Sequence, residues 1–170
     1  MRNVRDMKLR EGVEWAVHCC IDLSWVSPDR PVPAARLAAF HDLPTAYLNK
    51  QLNALGRAGI VSSRSGPRGG FRLGRKPQEI SLMDVVTAID GAAQGFRCTG
   101  IRLDGPAGAV AGRAGRRTGC AVERSFREAE LDWRRRLAAR SVADLAEAVR
   151  RADPAAPGRV RRWFDQHGPA

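Results

Sequence analysis

The nitrogen and sulfur donors of this chain that can hold a metal are four cysteines, Cys19, Cys20, Cys98 and Cys120, and three histidines, His18, His41 and His167. His18 stands four positions after Glu14. On a helix that spacing sets both side chains on one face, so an imidazole and a carboxylate can approach one metal centre. Trp15 lies against the same patch and can shield it. The same spacing also describes an ordinary surface pair worth about 0.2–0.5 kcal/mol. Cys98 and Cys120 lie 22 positions apart. Two thiolates alone complete neither a tetrahedral metal site nor an iron–sulfur cluster. Cys19 and Cys20 sit mid-helix, where a buried thiol is usually plain packing. His41 ends a short helix and suits a capping or surface role, and His167 lies in the tail. Catalysis would need a nucleophile and a base facing each other. Cys19 or Cys20 beside His18 are the only candidates, and helix positions one or two apart do not face each other, so no enzyme is expected.

The elements that must carry these groups are mostly helices. Lys8 to Trp25 reads as the first, with Val13, Val17, Cys20 and Ser24 on a core-facing stripe and Glu14, His18 and Ile21 on the next. Ser27-Pro28-Asp29-Arg30-Pro31 is a turn. A short helix to Phe40 follows. Asp42 is a good N-cap and Pro44 suits a first turn, so Asp42 to Gly59 reads as a third helix, with Tyr47, Leu48, Gln51, Leu52 and Leu55 at helical spacing. Ile60 and Val61 open a strand. Ser65-Gly66-Pro67-Arg68-Gly69-Gly70 is a turn whose glycines permit positive φ, and Phe71 and Leu73 resume a period of two. Helix, turn, helix and basic hairpin form a winged helix-turn-helix, a DNA-reading module.

In that module the N-terminal half of the third helix enters the major groove. Thr45, Tyr47, Asn49, Lys50 and Gln51 are the expected contacts; Asn and Gln suit adenine, and Lys suits guanine or phosphate. Tyr47 can equally be a core residue. Arg64, Arg68 and Arg72 lie on or beside the wing, with Arg68 at its tip. A formal charge of +11 over 170 residues fits a polyanionic partner. No apolar run approaches the roughly 18 residues of a membrane span, and the charged N-terminal stretch is no secretory signal, so a cytoplasmic location is expected.

Ser81 opens a fourth helix in a capping box with Asp84, and Gly91 ends it. From Ala92 to Gly119 the chain turns rich in Gly, Ala and Arg. Cys120 to Arg140 is the longest helical pattern, with Val122, Phe126, Ala129, Trp133 and Leu137 on one narrow apolar stripe. Such a stripe on a charged helix calls for a partner, and a second copy of the chain is the natural one. Ser141 and Asp144 cap a last short helix. Val160, Trp163 and Phe164 in the tail have no partner identifiable from sequence. The expected organisation is a winged helix-turn-helix domain over 7–91, a Gly/Arg-rich loop over 92–119, a dimerisation helix and short last helix over 120–150, and a tail over 151–170. The fold class is mainly α with a small β-hairpin.

From Met7 to about Ala148 the chain resembles the IscR/NsrR-type winged-helix regulators, the Rrf-two family of bacterial transcription factors. The matching stretches are Met7-Lys8-Leu9, Pro44-Thr45-Ala46-Tyr47-Leu48, Leu55-Gly56-Arg57-Ala58-Gly59-Ile60-Val61, Ser65-Gly66-Pro67-Arg68-Gly69-Gly70-Phe71-Arg72-Leu73, and Glu79-Ile80-Ser81-Leu82-Met83-Asp84-Val85-Val86-Thr87-Ala88-Ile89-Asp90-Gly91. The resemblance implies a homodimer, crossed through the long helix, on near-palindromic double-stranded operator DNA. The usual family pattern has three close cysteines before the long helix, and this chain departs from it. Val13-Glu14-Trp15-Ala16-Val17-His18-Cys19-Cys20 is instead similar to a branch whose [2Fe–2S] cluster is bound by two Cys, one Glu and one His. That likeness implies Glu14 and His18 of one subunit with Cys98 and Cys120 of the other, supplied by Arg97-Cys98-Thr99-Gly100-Ile101-Arg102 and Gly119-Cys120-Ala121. It implies a regulator, a repressor in the first instance, whose operator binding follows the redox state of the cluster, with Trp15 in the switch. The alternatives are zinc in the same ligands as a structural staple, or no metal and a thiol–disulfide switch.

Overall fold

The structure, a computed structural model, describes residues 9–26, 29–92, 98–110 and 120–166. Met7, Lys8, Ser27, Pro28, Arg97, Gly119 and His167 fall outside that set. The described chain is mainly helical with one two-stranded antiparallel sheet. It divides into two compact units, one holding 92–136 and the other 9–91 with 137–170.

The larger unit is a winged helix-turn-helix. Helix α1 (Glu11–Trp25) is its spine. It starts at Glu11 rather than Lys8, behind Arg10 in an extended conformation. Its Ala16, Cys19 and Cys20 are fully buried, joined by Val13, Ile21 and Leu23. Helix α2 (Ala34–Phe40) contributes Leu37 and Ala38. Helix α3 (Thr45–Arg57) inserts Leu48, Leu52 and Leu55, all fully buried. Asp42 is not the cap of α3: the cap position is Pro44, with no side-chain hydrogen bond. Asp42 instead turns the chain between α2 and α3 at φ +52°, a conformation that Asp tolerates better than most residues. A buried leucine touches core atoms on every side, so Leu52→Ala is expected to cost about 3 kcal/mol, read as a lower urea midpoint at unchanged slope.

Strands β1 (Val61–Arg64) and β2 (Gly70–Leu73) form the wing, with Val61 opposite Leu73 and Arg64 opposite Gly70. Val32 adds a one-residue bridge to Phe71, which the sequence did not suggest; both backbone bonds are 2.8 Å. Gly70 has φ +153°, and a Cβ there would run into the Val32 backbone. A glycine is therefore what lets the wing close on the strand before α2. A 3₁₀ turn (Pro77–Glu79) leads into α4 (Leu82–Asp90). The capping box is present: Asp84 N–H donates to Ser81 Oγ at 3.1 Å, and Ser81 N–H to Asp84 Oδ2 at 2.9 Å. Gly91 ends the helix at φ +83°.

In the smaller unit, residues 98–110 contain a 3₁₀ turn (Ile101–Leu103) and a helical turn over 105–110. Helix α5 (Ala121–Ala138) follows. Val122, Phe126 and Leu131 are exposed on it, at 59%, 50% and 46%. Glu130 is buried and accepts two bonds from Arg134, at 2.7 and 3.0 Å.

Helix α6 (Val142–Ala152) returns to the larger unit and packs on α1. Leu82 N–H donates to the Arg140 carbonyl and Val142 N–H to the Ile80 carbonyl, both at 2.8 Å. Ser141 and Asp144 form the second expected capping box. One turn on, Arg150 and Arg151 hold the Glu147 carboxyl down at about 2, through hydrogen bonds to it. A depressed carboxyl contributes its stability above its unfolded value, near 4.5. The helix is therefore expected to lose that contribution as pH falls from 4.5 towards 2, and Glu147→Gln should flatten unfolding curves in that window. The segment after Asp153 is not a loose tail. It forms α7 (Ala156–Gln166), which packs on α1 and α6. Its Val160 and Phe164 are buried and Trp163 is half-buried.

Candidate nucleic-acid interface and metal-ligand face

The exposed half of α3 carries Thr45, Tyr47, Asn49 and Lys50. Gln51 does not join them. It is 6% exposed, and its amide packs under Gly12 of α1, where a Cβ would come within 2.8 Å of Gln51 Cδ. Helical rotation is the reason. Gln51 lies three residues after Leu48 and four before Leu55, on the stripe that faces α1. Sequence spacing had placed it both on that stripe and among the base contacts, and packing gives it to the stripe.

Tyr47 is 40% exposed, so it is not a core residue. Its ring meets Trp15 edge-on, with centroids 5.1 Å apart and planes at 79°. Trp15 immediately follows Glu14. One aromatic pair therefore joins the Glu14/His18 side of α1 to the exposed face of α3. Arg64, Arg68 and Arg72 are exposed on the wing, and Arg72 Nε donates to Ser62 Oγ at 3.1 Å across the strands. That bond holds Arg72 along the sheet and leaves the tip to Arg68.

Glu14 and His18 are exposed on α1, one turn apart. Neither has a hydrogen bond or ion pair among the described residues. Both line a cleft of about 330 Å³ whose remaining walls include Val13, Val17, Leu82, Val86 and Leu145. A carboxylate and an imidazole beside an apolar wall, with no partner of their own, are chemically ready to take a metal ligand role. The His18 ring meets His41 with centroids 5.9 Å apart. His41 Nε2 lies 2.6 Å from Oδ2 of the buried Asp22, a tie between the end of α2 and α1. From its place at the end of a short helix, His41 is expected to have a capping or surface role. The pairing with Asp22 explains why it is half-buried, and it commits that ring nitrogen to Asp22.

Cys98 and Cys120 belong to the smaller unit and are half-buried. Gly100 N–H points at Cys98 Sγ from 3.4 Å, a donor that stabilises negative charge on sulfur. Glu14 and His18 belong to the larger unit, and among the described residues no group of three or more His, Cys, Asp or Glu gathers at one point. Cys19 and Cys20 are fully buried. Burial, with Asp22 nearby, pushes both thiols up, Cys20 to about 12. Without thiolate character they are poor ligands and nucleophiles. In the metal-free chain a thiol reagent at pH 8 is expected to label Cys98 and Cys120 within minutes, and Cys19 and Cys20 only on unfolding. Mass spectrometry of the labelled peptides checks this.

Sequence comparison matches residues 9–148 to the model of the Rrf2 family, described as iron-dependent transcriptional regulators. The HTH-type transcriptional regulator IscR of Aliivibrio salmonicida is 35% identical over 94 residues, which is 55% of this chain and 56% of that protein. The chain thus spans about half the length of such relatives. The structure of T. potens IscR superposes with a TM-score of 0.64 at 18% identity, over 89% of this chain and 94% of that one. CymR, titled the global cysteine regulator of B. subtilis, superposes at 0.57 and 21% identity, over 84% and 98%. The solved neighbours share the winged-helix fold, and the family model covers most of the chain: the protein belongs to the Rrf2 family.

Proposed function

We propose that the chain is a homodimeric transcriptional regulator that binds double-stranded operator DNA and responds to the redox state of a [2Fe–2S] cluster. The observation that carries this reading is the Trp15–Tyr47 contact, which joins the Glu14/His18 face of α1 to the exposed half of α3. Thr45, Tyr47, Asn49 and Lys50 would read bases or phosphates in the major groove, with Arg64, Arg68 and Arg72 of the wing on the flanking backbone. The dimer would form through α5, along the apolar stripe that Val122 and Phe126 begin, both exposed on its first turns.

Glu14 and His18 of one subunit, with Cys98 and Cys120 of the other, would hold the cluster. The donor types fit: two thiolates, an imidazole and a carboxylate, with Gly100 N–H available to the Cys98 sulfur. The cluster, when bound, supplies a one-electron change of charge at its ligands, and imidazole ligation raises its potential. His18 makes no hydrogen bond or ion pair among the described residues, whereas His41 is engaged by Asp22. Trp15 packs beside Glu14 and against Tyr47, so a shift of the ligand face displaces the exposed end of α3. Small changes in the spacing of two reading helices change affinity for half-sites one helical turn apart. The family's description as iron-dependent favours iron over zinc in these ligands.

The test is a visible spectrum of anaerobically purified protein, with iron, sulfide and zinc measured on the same sample. Red-brown protein whose bands bleach on mild reduction and return in air supports the reading. Colourless protein with zinc overturns it in favour of a structural staple. A second reading, a thiol–disulfide switch of Cys98 and Cys120, draws on the half-burial of both sulfurs and on the likeness to CymR. It predicts colourless, metal-free protein that loses two mass units on oxidation.

A further inference from the structure

Helix α7 lies beyond residues 9–148, the span shared with the family model, yet it is built into the DNA-binding unit. Phe40 of α2 meets the rings of Trp163 and Phe164, with centroids 4.9 and 5.1 Å away. Asp165, in the last turn of α7, pairs with Arg30. Phe164 and Asp165 line one small recess with Pro31, Val32 and Pro33. Val32 in turn bridges to Phe71 of the wing. The C-terminal end of α7, the entry to α2 and the base of the wing therefore meet.

The outer face of α7 carries Arg161 and Arg162, both exposed. Neither has a hydrogen bond or ion pair among the described residues. The nearby acids are engaged elsewhere: Asp165 with Arg30, and Asp153 with Arg159. The Arg162 guanidinium lies back over Gly158, 3.3 Å from where a Cβ would stand. When a helix-turn-helix docks, the helix before the reading helix crosses the phosphate backbone. Here α7 flanks that helix at its entry. Two uncompensated guanidiniums stand on a helix anchored by buried aromatics, so the backbone that carries them needs no ordering on binding.

We infer that Arg161 and Arg162 form an additional phosphate-binding surface that grips the operator backbone outside the stretch read by α3 and the wing. This rests on the proposal that the chain binds DNA, and adds to it a contact element outside the family's common span.

The test uses the full-length chain and a duplex of about 40 base pairs, long enough for two half-sites one or two helical turns apart plus flanks. The duplex is enriched from a random library by the wild-type protein. Arg161→Ala with Arg162→Ala is compared with wild type by fluorescence polarisation over a salt series, with hydroxyl-radical footprints and thermal melts alongside. Each lost phosphate contact lowers the salt slope by about 0.9. The double variant is expected to flatten it by about 1.8 per subunit. Wild type then loses about 12-fold more affinity per subunit than the variant across a fourfold rise in salt. The footprint should shorten at its outer edges and the melting temperature should stay put. Lysines at both positions should restore the slope, because a point charge suffices for phosphate. An enriched duplex with unchanged slope and footprint in the alanine variant overturns this inference alone, and would leave the two arginines to an acidic protein or to solvent. A wild-type chain that enriches no duplex overturns the DNA-binding proposal and this inference together.

Discussion

Replacing His18 by Ala or Cys98 by Ser is expected to give a folded, colourless protein that no longer responds to reduction. His18 is exposed, and exposed positions rarely change stability by more than about 0.5 kcal/mol. Cys98 is half-buried and belongs to the smaller unit, while the core that α1 anchors belongs to the larger one. If the proposed set of four ligands holds the cluster, loss of one should lower iron retention by about 100-fold or more, since even supporting residues of metal sites are worth 10–100-fold. Cys19→Ala and Cys20→Ala should do the reverse. Both side chains are fully buried, so each truncation should cost about 1–2 kcal/mol of stability and leave the chromophore intact. His18→Cys should keep a cluster while lowering its potential, by on the order of 100 mV or more, because thiolate replaces imidazole. Retained iron and an unshifted spectrum in His18→Ala would remove His18 from the ligand set.

The second large effect separates neighbours on α3. Asn49→Ala and Lys50→Ala are expected to weaken operator binding, each by about 1–3 kcal/mol where the side chain reads a base, with no change in melting. Gln51→Ala should leave sequence preference intact and lower stability instead, by about 1–2 kcal/mol, because its buried amide fills the space beside Gly12. Gly12→Ala should cost less, since its Cβ would meet only the far end of the flexible Gln51 side chain, 2.8 Å from Cδ. The measurement is urea unfolding and duplex titration on the same preparations. A Gln51→Ala variant of full stability and altered base preference would return Gln51 to the groove.

Much of this molecule is readable from periodicity and capping. Leu48, Leu52 and Leu55 repeat at helical spacing, and all three are fully buried. Ser81 with Asp84 and Ser141 with Asp144 announce two helix starts, and both capping boxes form. These are local signals, decided within one turn of chain. The Ser65–Gly70 turn is local in part: Gly66 takes a positive φ, whereas Gly70 also makes room for the distant Val32 backbone. The ligand candidates are half local: the one-turn spacing of Glu14 and His18 follows from α1 itself.

What the chain order could not decide was which of two compatible faces a side chain takes, and where distant segments meet. Gln51 satisfies a base-reading pattern and a core pattern equally well on paper; only the approach of α1 at Gly12 assigns it to the core. Asp42 has the chemistry of an N-cap, but the turn out of α2 places it in the left-handed region and moves the cap to Pro44. Tyr47 meets Trp15 across 32 positions of sequence, and Phe40 meets Trp163 across 123. Those contacts depend on helices packing together, and packing is a property of three-dimensional surfaces rather than of any window of residues. The sequence by itself determined six of the seven helices, the two capping boxes, the basic wing and the paired donors on α1. Only the tertiary structure decided that Gln51 belongs to the core, that α1 touches the exposed face of α3, and that the eleven residues of α7 are part of the winged-helix unit, because burial of apolar rings against non-neighbouring helices is what fixes them there.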